Sequence, residues 1–160
     1  MKFKFQQRKI SDQEQKTRKK IWFFIWILMI IFVIDHLFKN IIKDGCFLFI
    51  CLKYATNTGA AFSLLAGIPW TGFLLIAIAL IVLAIVGYFY FKYKEKKLLR
   101  VSLALIFAGT LSNTLDRIFL GYVIDNFTLS FWPTFTVFNL ADVTNLVGVI
   151  LLITYLLKKK

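Results

Sequence analysis

Four runs of apolar residues account for most of this chain. They lie at Ile21–Ile34, at Ile68–Phe91, at Leu98 to about Leu115, and at roughly Phe138–Leu157. The first run extends to about Ile42 through a segment in which polar residues interrupt the apolar ones. A helix needs about 20 predominantly apolar residues to cross a hydrocarbon core of roughly 30 Å. The runs therefore predict an α-helical polytopic membrane protein with four transmembrane helices.

The first run is short for a membrane span. Its uninterrupted part rises only about 21 Å as a helix, so the helix must include Asp35, His36 and Lys39, or the membrane must be thinned there. A cleavable signal peptide is the alternative interpretation of this run. No small-x-small cleavage site follows it, so we predict an uncleaved anchor.

The composition narrows the class of protein further. The chain is 59% hydrophobic and 18% charged, which excludes a disordered chain because disorder requires low hydrophobicity. In a soluble chain the net charge of +12 would suggest nucleic acid. Here the basic residues flank apolar runs, so we expect contacts with anionic membrane lipids and no nucleic-acid partner.

The basic residues also predict the orientation in the membrane. Sixteen of the 20 Lys and Arg residues lie in segments 1–20, 92–100 and 158–160, and cytoplasmic segments carry an excess of Lys and Arg. We therefore expect a basic cytoplasmic tail over 1–20, a membrane domain over 21–157 and a basic cytoplasmic end over 158–160. Both termini then lie in the cytoplasm of a multi-pass protein of the inner (cytoplasmic) membrane, and we expect the tail to be mobile.

Two segments on the opposite side of the membrane favour strands. They lie near 44–65 and 120–135. In the first, the β-prone residues Cys46–Leu52 precede a turn. In the second, apolar and polar residues partly alternate over Tyr122–Trp132 and are followed by Pro133. We expect a small extracytoplasmic β-cradle resting on the helix ends. Cys46 and Cys51 are either a disulfide or two buried small side chains.

Metal and nucleotide chemistry have little support in the sequence. One His and two Cys supply few ligands for zinc, and no Gly-rich phosphate loop is present. A Ser-His pair would need His36, beside the outer end of the first span. We therefore expect neither a metal nor another cofactor.

The carboxylates are the informative polar residues, because an ionisable group in or near a membrane is costly and is retained for function or for a partner. Asp116 beside Arg117 is interpreted as an ion pair or a helix-end anchor. Asp142 opens the fourth span, where it caps the helix or serves catalysis. Asp125 lies in a strand-like segment with no helix end to cap.

Asp125 and Asp142 together are therefore a candidate acid–base pair, since two close carboxylates share one proton and their pKa values separate. Three Asn residues are candidates to orient the pair, or else are caps and turn residues. They are Asn57, Asn113 and Asn139.

Four blocks of the chain resemble the lipoprotein signal peptidase (signal peptidase II) family of bacterial membrane aspartic endopeptidases. The blocks are Asp35–Lys39, Asn57–Ser63, Gly109–Arg117 with Gly121–Asp125, and Phe138–Asp142. The specific motifs are Asn57-x-Gly59-Ala60-Ala61-Phe62, Asn113-x-x-Asp116-Arg117 and Phe138-Asn139-x-Ala141-Asp142. The resemblance covers about residues 21–157.

The resemblance implies four transmembrane helices, cytoplasmic termini and an outer β-cradle. It implies that Asp125 and Asp142 form the catalytic dyad at the outer face, acting on diacylglyceryl-modified prolipoproteins just before the lipidated cysteine. The supporting polar positions of the family fall on Asp35, Lys39, Asn57, Asn113, Asp116, Arg117 and Asn139. We further expect Gly59 and Ala60 to admit an extended substrate backbone, and the chain to act as a monomer.

The chain departs from the usual family pattern at four positions. His36 and Phe38 stand where Gln and Thr are usual, Ser112 where Gly is usual, and Asn126 where an aromatic residue is usual. Asn126 would add a hydrogen bond to the dyad or alter the cradle.

Two other classes of function fit a four-helix bundle that carries acids. A small carrier or channel would place its acids near the bilayer midplane, whereas Asp125 and Asp142 lie near its outer edge. A non-catalytic assembly factor of the same fold would tolerate the loss of either Asp.

Overall fold

A computed structural model describes residues 2–40, 45–48, 50–60, 64–93, 95–129, 131 and 137–158. Four helices and four strands follow one another in this part of the chain. They are α1 (Lys2–Lys39), β1 (Gly45–Phe47), β2 (Ile50–Asn57), α2 (Thr71–Lys92), α3 (Lys97–Leu120), β3 (Val123–Leu129), β4 (Val137–Phe138) and α4 (Leu140–Lys158). The predicted Pro133 strand end, Ala61 and the last two Lys lie outside the described residues.

Each helix contains a segment long and apolar enough to cross a membrane. These segments are Thr17–Lys39, Thr71–Lys92, Lys97–Leu120 and Leu140–Lys158, which confirms the prediction of four spans. The first span includes Asp35, His36 and Lys39, as the short apolar run requires. Many large apolar side chains are exposed on the helix surfaces, such as Trp26 at 62% and Leu146 at 60%, and this surface suits contact with lipid tails.

The basic N-terminal segment is helical. α1 begins at Lys2 and runs without a break to Lys39, so the segment predicted to be a cytoplasmic tail continues the helix of the first span. The segment contains no Gly or Pro and many Lys, Arg, Gln and Glu residues, which are good helix formers.

The third helix lies at the centre of the bundle. Half of its span is buried, compared with 11–17% for the other three. Small residues let α4 approach it closely, because a Cβ on Gly109 would lie 2.4 Å from the carbonyl oxygen of Ala141. A Cβ on Gly148 would likewise lie 2.7 Å from Ile106 Cγ1. Small residues at helix contacts are the usual means by which membrane helices pack.

The four strands form one antiparallel sheet in the order β1-β2-β3-β4. The two segments predicted to form strands therefore pair with each other, through β2 and β3. The Cys46–Cys51 pair, left open by the sequence, is a disulfide that joins directly opposed residues of β1 and β2.

The pairing of β2 with β3 is interrupted by a bulge. Leu52 pairs with Phe127 and Ala55 with Asp125, so Lys53 and Tyr54 both lie opposite the single residue Asn126. Bulges are common beside active sites, where they redirect side chains. This bulge adjoins Asp125.

Candidate active site

The start of α4 brings an aspartate and an asparagine into reciprocal contact. Asn139 precedes the helix, and its Oδ1 accepts the backbone N–H of Asp142 at 2.9 Å. Asp142 Oδ2 in turn accepts the backbone N–H of Asn139 at 3.2 Å. This is a capping box with Asp in the place of Glu. The predicted capping role of Asp142 therefore uses one carboxylate oxygen and leaves Oδ1 for other contacts.

The asparagine that caps α4 also reaches the second aspartate. Asn139 Nδ2 donates to Asp125 Oδ1 at 2.8 Å, and Asn57 Nδ2 donates to Asp125 Oδ2 at 3.2 Å. Asn113 Nδ2 donates to Asp142 Oδ1 at 2.8 Å. Each carboxylate is thus held by amides from separate elements, and Asn139 contacts both. All three asparagines singled out from the sequence lie at this position.

The two aspartates line one cavity of about 370 Å³. Its other lining residues that the sequence analysis names are Asn57, Ala60, Asn113 and Arg117. Four residues that were not predicted as site residues also line the cavity: Val123, Val137, Phe138 and Asn145. Gly59 lies beside the cavity, and its backbone N–H donates to Asn57 Oδ1 at 2.9 Å.

The Asp125 carboxyl is in an environment that disfavours its charge. Asp125 is 3% exposed, and burial, followed by repulsion from Asp142, raises its pKa to about 6. The hydrogen bonds from Asn57 and Asn139 act in the opposite direction. Asp125 therefore exchanges its proton near neutral pH, which suits a group that must give and take a proton in a reaction.

A second pair of aspartates lies next to the cavity and is bridged by a lysine. Lys39 Nζ lies 2.6 Å from Asp35 Oδ2 and 2.7 Å from Asp116 Oδ2. The three side chains are almost wholly buried, at 0–2% exposure. Lys39 Nζ also donates to Asn113 Oδ1 at 3.4 Å, which connects this cluster to the amide that holds Asp142. We call Asp35, Lys39 and Asp116 the ionic cluster.

Of the two interpretations of Asp116 beside Arg117, a mutual ion pair and a helix-end anchor, the structure does not show the ion pair among the described residues, because Asp116 pairs with Lys39 instead. Neighbouring residues on a helix do not face each other. Arg117 donates from Nη2 to the carbonyl oxygen of Gly59 at 2.7 Å and from Nη1 to that of Asn113 at 3.3 Å. Arg117 therefore fixes the turn at residues 57–60 against α3.

The four departures from the family pattern have distinct contacts. Ser112 Oγ donates to Asp35 Oδ2 at 2.7 Å, so this hydroxyl joins the ionic cluster. The His36 ring lies 3.7 Å from Asp116 and packs on Phe32. Asn126 Nδ2 donates to the carbonyl oxygen of Phe38, near the end of α1, so it joins β3 to that helix. In the part of the chain described, Asn126 makes no hydrogen bond to the dyad.

The chain is similar to known proteins of one family. The sequence profile of the family described as signal peptidase (SPase) II matches residues 27–158. The chain belongs to this family. A lipoprotein signal peptidase of Lactiplantibacillus plantarum is 35% identical over 86% of this chain and 96% of its own length. One of Actinobacillus succinogenes is 39% identical over 81% of this chain and 86% of its own.

The fold is shared with solved structures as well. A bacterial membrane enzyme determined by the in meso method at 1.9 Å resolution has a TM-score of 0.76 and 30% identity, with 88% of this chain and 96% of that chain covered. Membership of the signal peptidase II family makes the chain an aspartic-type peptidase of lipoprotein processing and a multi-pass membrane protein.

Proposed function

We propose that this protein removes the signal peptide from diacylglyceryl-modified prolipoproteins by hydrolysing the peptide bond just before the lipidated cysteine, with Asp125 and Asp142 activating water. The observation that carries the proposal is that two carboxylates on separate elements line one cavity. Both are held by asparagine amides. In the described ranges, neither makes an ion pair with a Lys or Arg.

The pair holds one proton between its two carboxyl groups in the proposed reaction. The ionised carboxylate accepts a proton from water as the water oxygen attacks the carbonyl carbon of the scissile bond. The protonated carboxyl donates its proton to the carbonyl oxygen, giving a tetrahedral diol. A proton then passes to the cysteine nitrogen, the C–N bond breaks, and the signal peptide leaves with a new carboxyl group.

The asparagines hold the two carboxyl groups in place during these proton transfers. An amide donor stabilises a carboxylate without adding a full positive charge. The transferable proton therefore stays with the pair instead of being displaced by a permanent counter-ion. We infer that Gly59 and Ala60 admit the substrate backbone, because the 57–60 turn lies at the cavity and carries no bulky side chain.

We infer that the cavity opens at the outer face and that both termini lie in the cytoplasm. The basic residues of 1–20 and 92–100 support this orientation, and so does the Cys46–Cys51 disulfide, because disulfides persist in oxidising compartments. A cysteine introduced by Thr58→Cys should react in intact cells with a maleimide that cannot cross the membrane. One introduced by Glu14→Cys should react only after lysis, and the reverse result would overturn this orientation.

Cleavage of a diacylglyceryl-modified prolipoprotein peptide by the purified chain in detergent, with a chelator present, tests the reaction. We expect the wild type to cut before the lipidated cysteine, and Asp125→Asn and Asp142→Asn each to lose at least about 100-fold in rate. Asp12→Asn, which changes an exposed acid of α1, is the matched control and should retain activity.

Persistent cleavage by both dyad variants would place the chemistry elsewhere. No cleavage by folded wild type would favour a carrier or assembly factor. Because one chain supplies both carboxylates, we also infer that a monomer is active. The rate should then stay proportional to enzyme concentration on dilution.

A further inference from the structure

One polar residue that lines the cavity has no role in the arrangement so far. Asn145 lies in α4, three residues after Asp142. Residues three apart share one helix face, and the rise of 1.5 Å per residue places Asn145 about 4.5 Å further along the helix. In the proposed orientation this direction leads from the dyad into the membrane.

The local packing holds the Asn145 amide in one orientation. Its Oδ1 accepts a hydrogen bond from Thr110 Oγ1 at 3.2 Å. A Cβ on Gly109 would lie 2.8 Å from both Cγ and Oδ1 of Asn145, so the amide occupies space that only glycine leaves open. With Oδ1 held by Thr110, Nδ2 is the polar atom left to face the cavity.

The other polar side chains of the cavity are hydrogen-bonded within the site, except that the buried Nε of Arg117 has no partner among the described residues. The amides of Asn57 and Asn113 bind the dyad, and Arg117 binds two backbone carbonyls. Among the residues that the structure describes, by contrast, no acceptor contacts Asn145 Nδ2. Asn145 is half-buried and lines the cavity, so this amide donor is available to a ligand that enters the cavity.

We propose that Asn145 Nδ2 donates a hydrogen bond to a carbonyl oxygen of the bound substrate, which makes Asn145 a specificity-determining residue. The inference rests on the proposed function. Two parts of the substrate carry such oxygens in the membrane: the ester groups of the diacylglyceryl chains and the peptide groups of the signal peptide. Asn145, deeper than the dyad, is placed to meet either one while the scissile bond lies at Asp125 and Asp142.

Steady-state kinetics of Asn145→Leu tests the proposal. Loss of a hydrogen bond made equally in the ground and transition states raises KM and leaves kcat unchanged. We expect KM to rise roughly 10-fold or more with kcat within about twofold. Leu146→Ala, at the neighbouring lipid-exposed position, is the matched control and should change neither constant.

The Thr110 hydroxyl provides an independent test that leaves Asn145 in place. Thr110→Val removes the hydrogen bond that orients the amide, so KM should rise by a smaller factor. Thr110→Ser keeps the hydroxyl and should restore the wild-type KM. If Asn145→Leu does not fold, this pair decides the matter, and a wild-type KM for Thr110→Val overturns the proposal.

A substrate whose lipid chains are attached to glycerol by ether bonds identifies the acceptor of the Asn145 hydrogen bond, because an ether has no carbonyl oxygen. If the acceptor is an ester carbonyl, Asn145→Leu loses affinity only for the ester substrate. If it is a peptide carbonyl, the loss is the same for both substrates. An unchanged KM for both substrates, or a fall in kcat alone, overturns the proposal.

Binding measurements separate this result from the fate of the proposed reaction. Uncleaved lipidated peptide is titrated into Asp125→Asn protein that carries either Asn145 or Leu at that position. Weaker binding with Leu supports the role of Asn145 whichever residues perform the cleavage. Equal binding contradicts it, even if the dyad proves to be catalytic.

Discussion

Two pairs of aspartates lie side by side in this molecule and differ in what stands between their members. Asp35 and Asp116 enclose the Lys39 ammonium, with both contacts at 2.7 Å or less. Asp125 and Asp142 are bound by neutral amides and face a cavity. A buried cation holds the first pair together, whereas no Lys or Arg among the described residues pairs with the second. This difference supports the proposal that the first pair is structural and the second performs the chemistry.

The two pairs are also mechanically connected. Asp35 Oδ1 accepts the backbone N–H of Ala141 at 3.0 Å, one residue before Asp142. Lys39 Nζ contacts the Oδ1 of Asn113, whose Nδ2 holds Asp142. The ionic cluster therefore supports the start of α4 on which the dyad depends, and substitutions in the two pairs should have different signatures.

Removing the cation should produce the largest loss of stability. Lys39→Met leaves two buried aspartates without their shared cation, and breaking a buried ion pair in this way costs about 3–5 kcal/mol of unfolding free energy. Thermal unfolding in detergent measures the effect. Lys53→Met, at an exposed position of β2, is the control. Equal melting temperatures for the two variants would show that the ionic cluster does not stabilise the fold.

Replacing a dyad carboxylate should make the protein more stable at high pH relative to the wild type, in contrast to the loss expected for Lys39→Met. The pKa of Asp125 is about 6, above its ordinary value of 3.8, so the folded state binds this proton more tightly than the unfolded state. Its contribution to stability is fully present below about pH 4 and is lost as pH rises through 6. Between pH 5 and 8 the wild type should therefore lose about 1.5 kcal/mol that Asp125→Asn does not lose.

The measurement is the unfolding free energy of both proteins at the two pH values, because the difference cancels groups that titrate in both. Hydrogen bonds changed by the Asn side chain do not depend on pH over this range and cancel as well. Parallel stability curves for wild type and Asp125→Asn would show that Asp125 has an ordinary pKa in the folded protein.

The amide that holds Asp125 should shift the pH dependence of cleavage. Repulsion from ionised Asp142 contributes to the raised pKa of Asp125, so Asp125 is the member that loses the shared proton as pH rises. In the free enzyme kcat/KM should then fall as pH rises through about 6. Asn57→Ala removes a hydrogen bond that lowers this pKa, so the fall should move to higher pH.

Asn40→Ala is the matched control for this measurement, since Asn40 is exposed and donates to the carbonyl oxygen of His36, away from the cavity. Its pH profile should coincide with that of the wild type. A shift of the Asn57→Ala profile to lower pH would mean that the amide does not stabilise the charged form of Asp125.

The four spans and the two aspartates that line the cavity were predictable because each has a local signal. Apolar runs encode the helices, and Asp125 is conspicuous as a carboxylate among β-prone residues. The bond between Asn139 and Asp142 follows from their spacing, which is that of a helix cap. These features depend on residues near one another in the chain.

The partners of the ionic cluster were not predictable in the same way. Adjacent positions suggested that Asp116 pairs with Arg117, although side chains at i and i+1 of a helix diverge. Lys39 and Asp116 meet only because α1 and α3 pack together, 77 positions apart. The spacing of Asp35 and Lys39, four residues on one helix, was the one local signal of the cluster. Asn145 had no local signal in the sequence, because its proposed role depends on the space that the missing side chain of Gly109 leaves on the neighbouring helix.

The smallest loss of stability should come from removing the Ser112 hydroxyl, which donates to the ionic cluster. Ser112 Oγ donates to Asp35 Oδ2 at 2.7 Å, but the same carboxylate also receives Lys39 and the Ala141 N–H. Ser112→Ala therefore leaves the charge compensated and should cost only about 1 kcal/mol of unfolding free energy, with no shift of the pH profile. Ser102→Ala is the control, because its buried hydroxyl donates only within α3, to the Leu99 carbonyl. If Ser112→Ala loses no more stability than this control, Lys39 and the Ala141 N–H are sufficient to stabilise Asp35, and the serine adds nothing to the pair that supports the dyad.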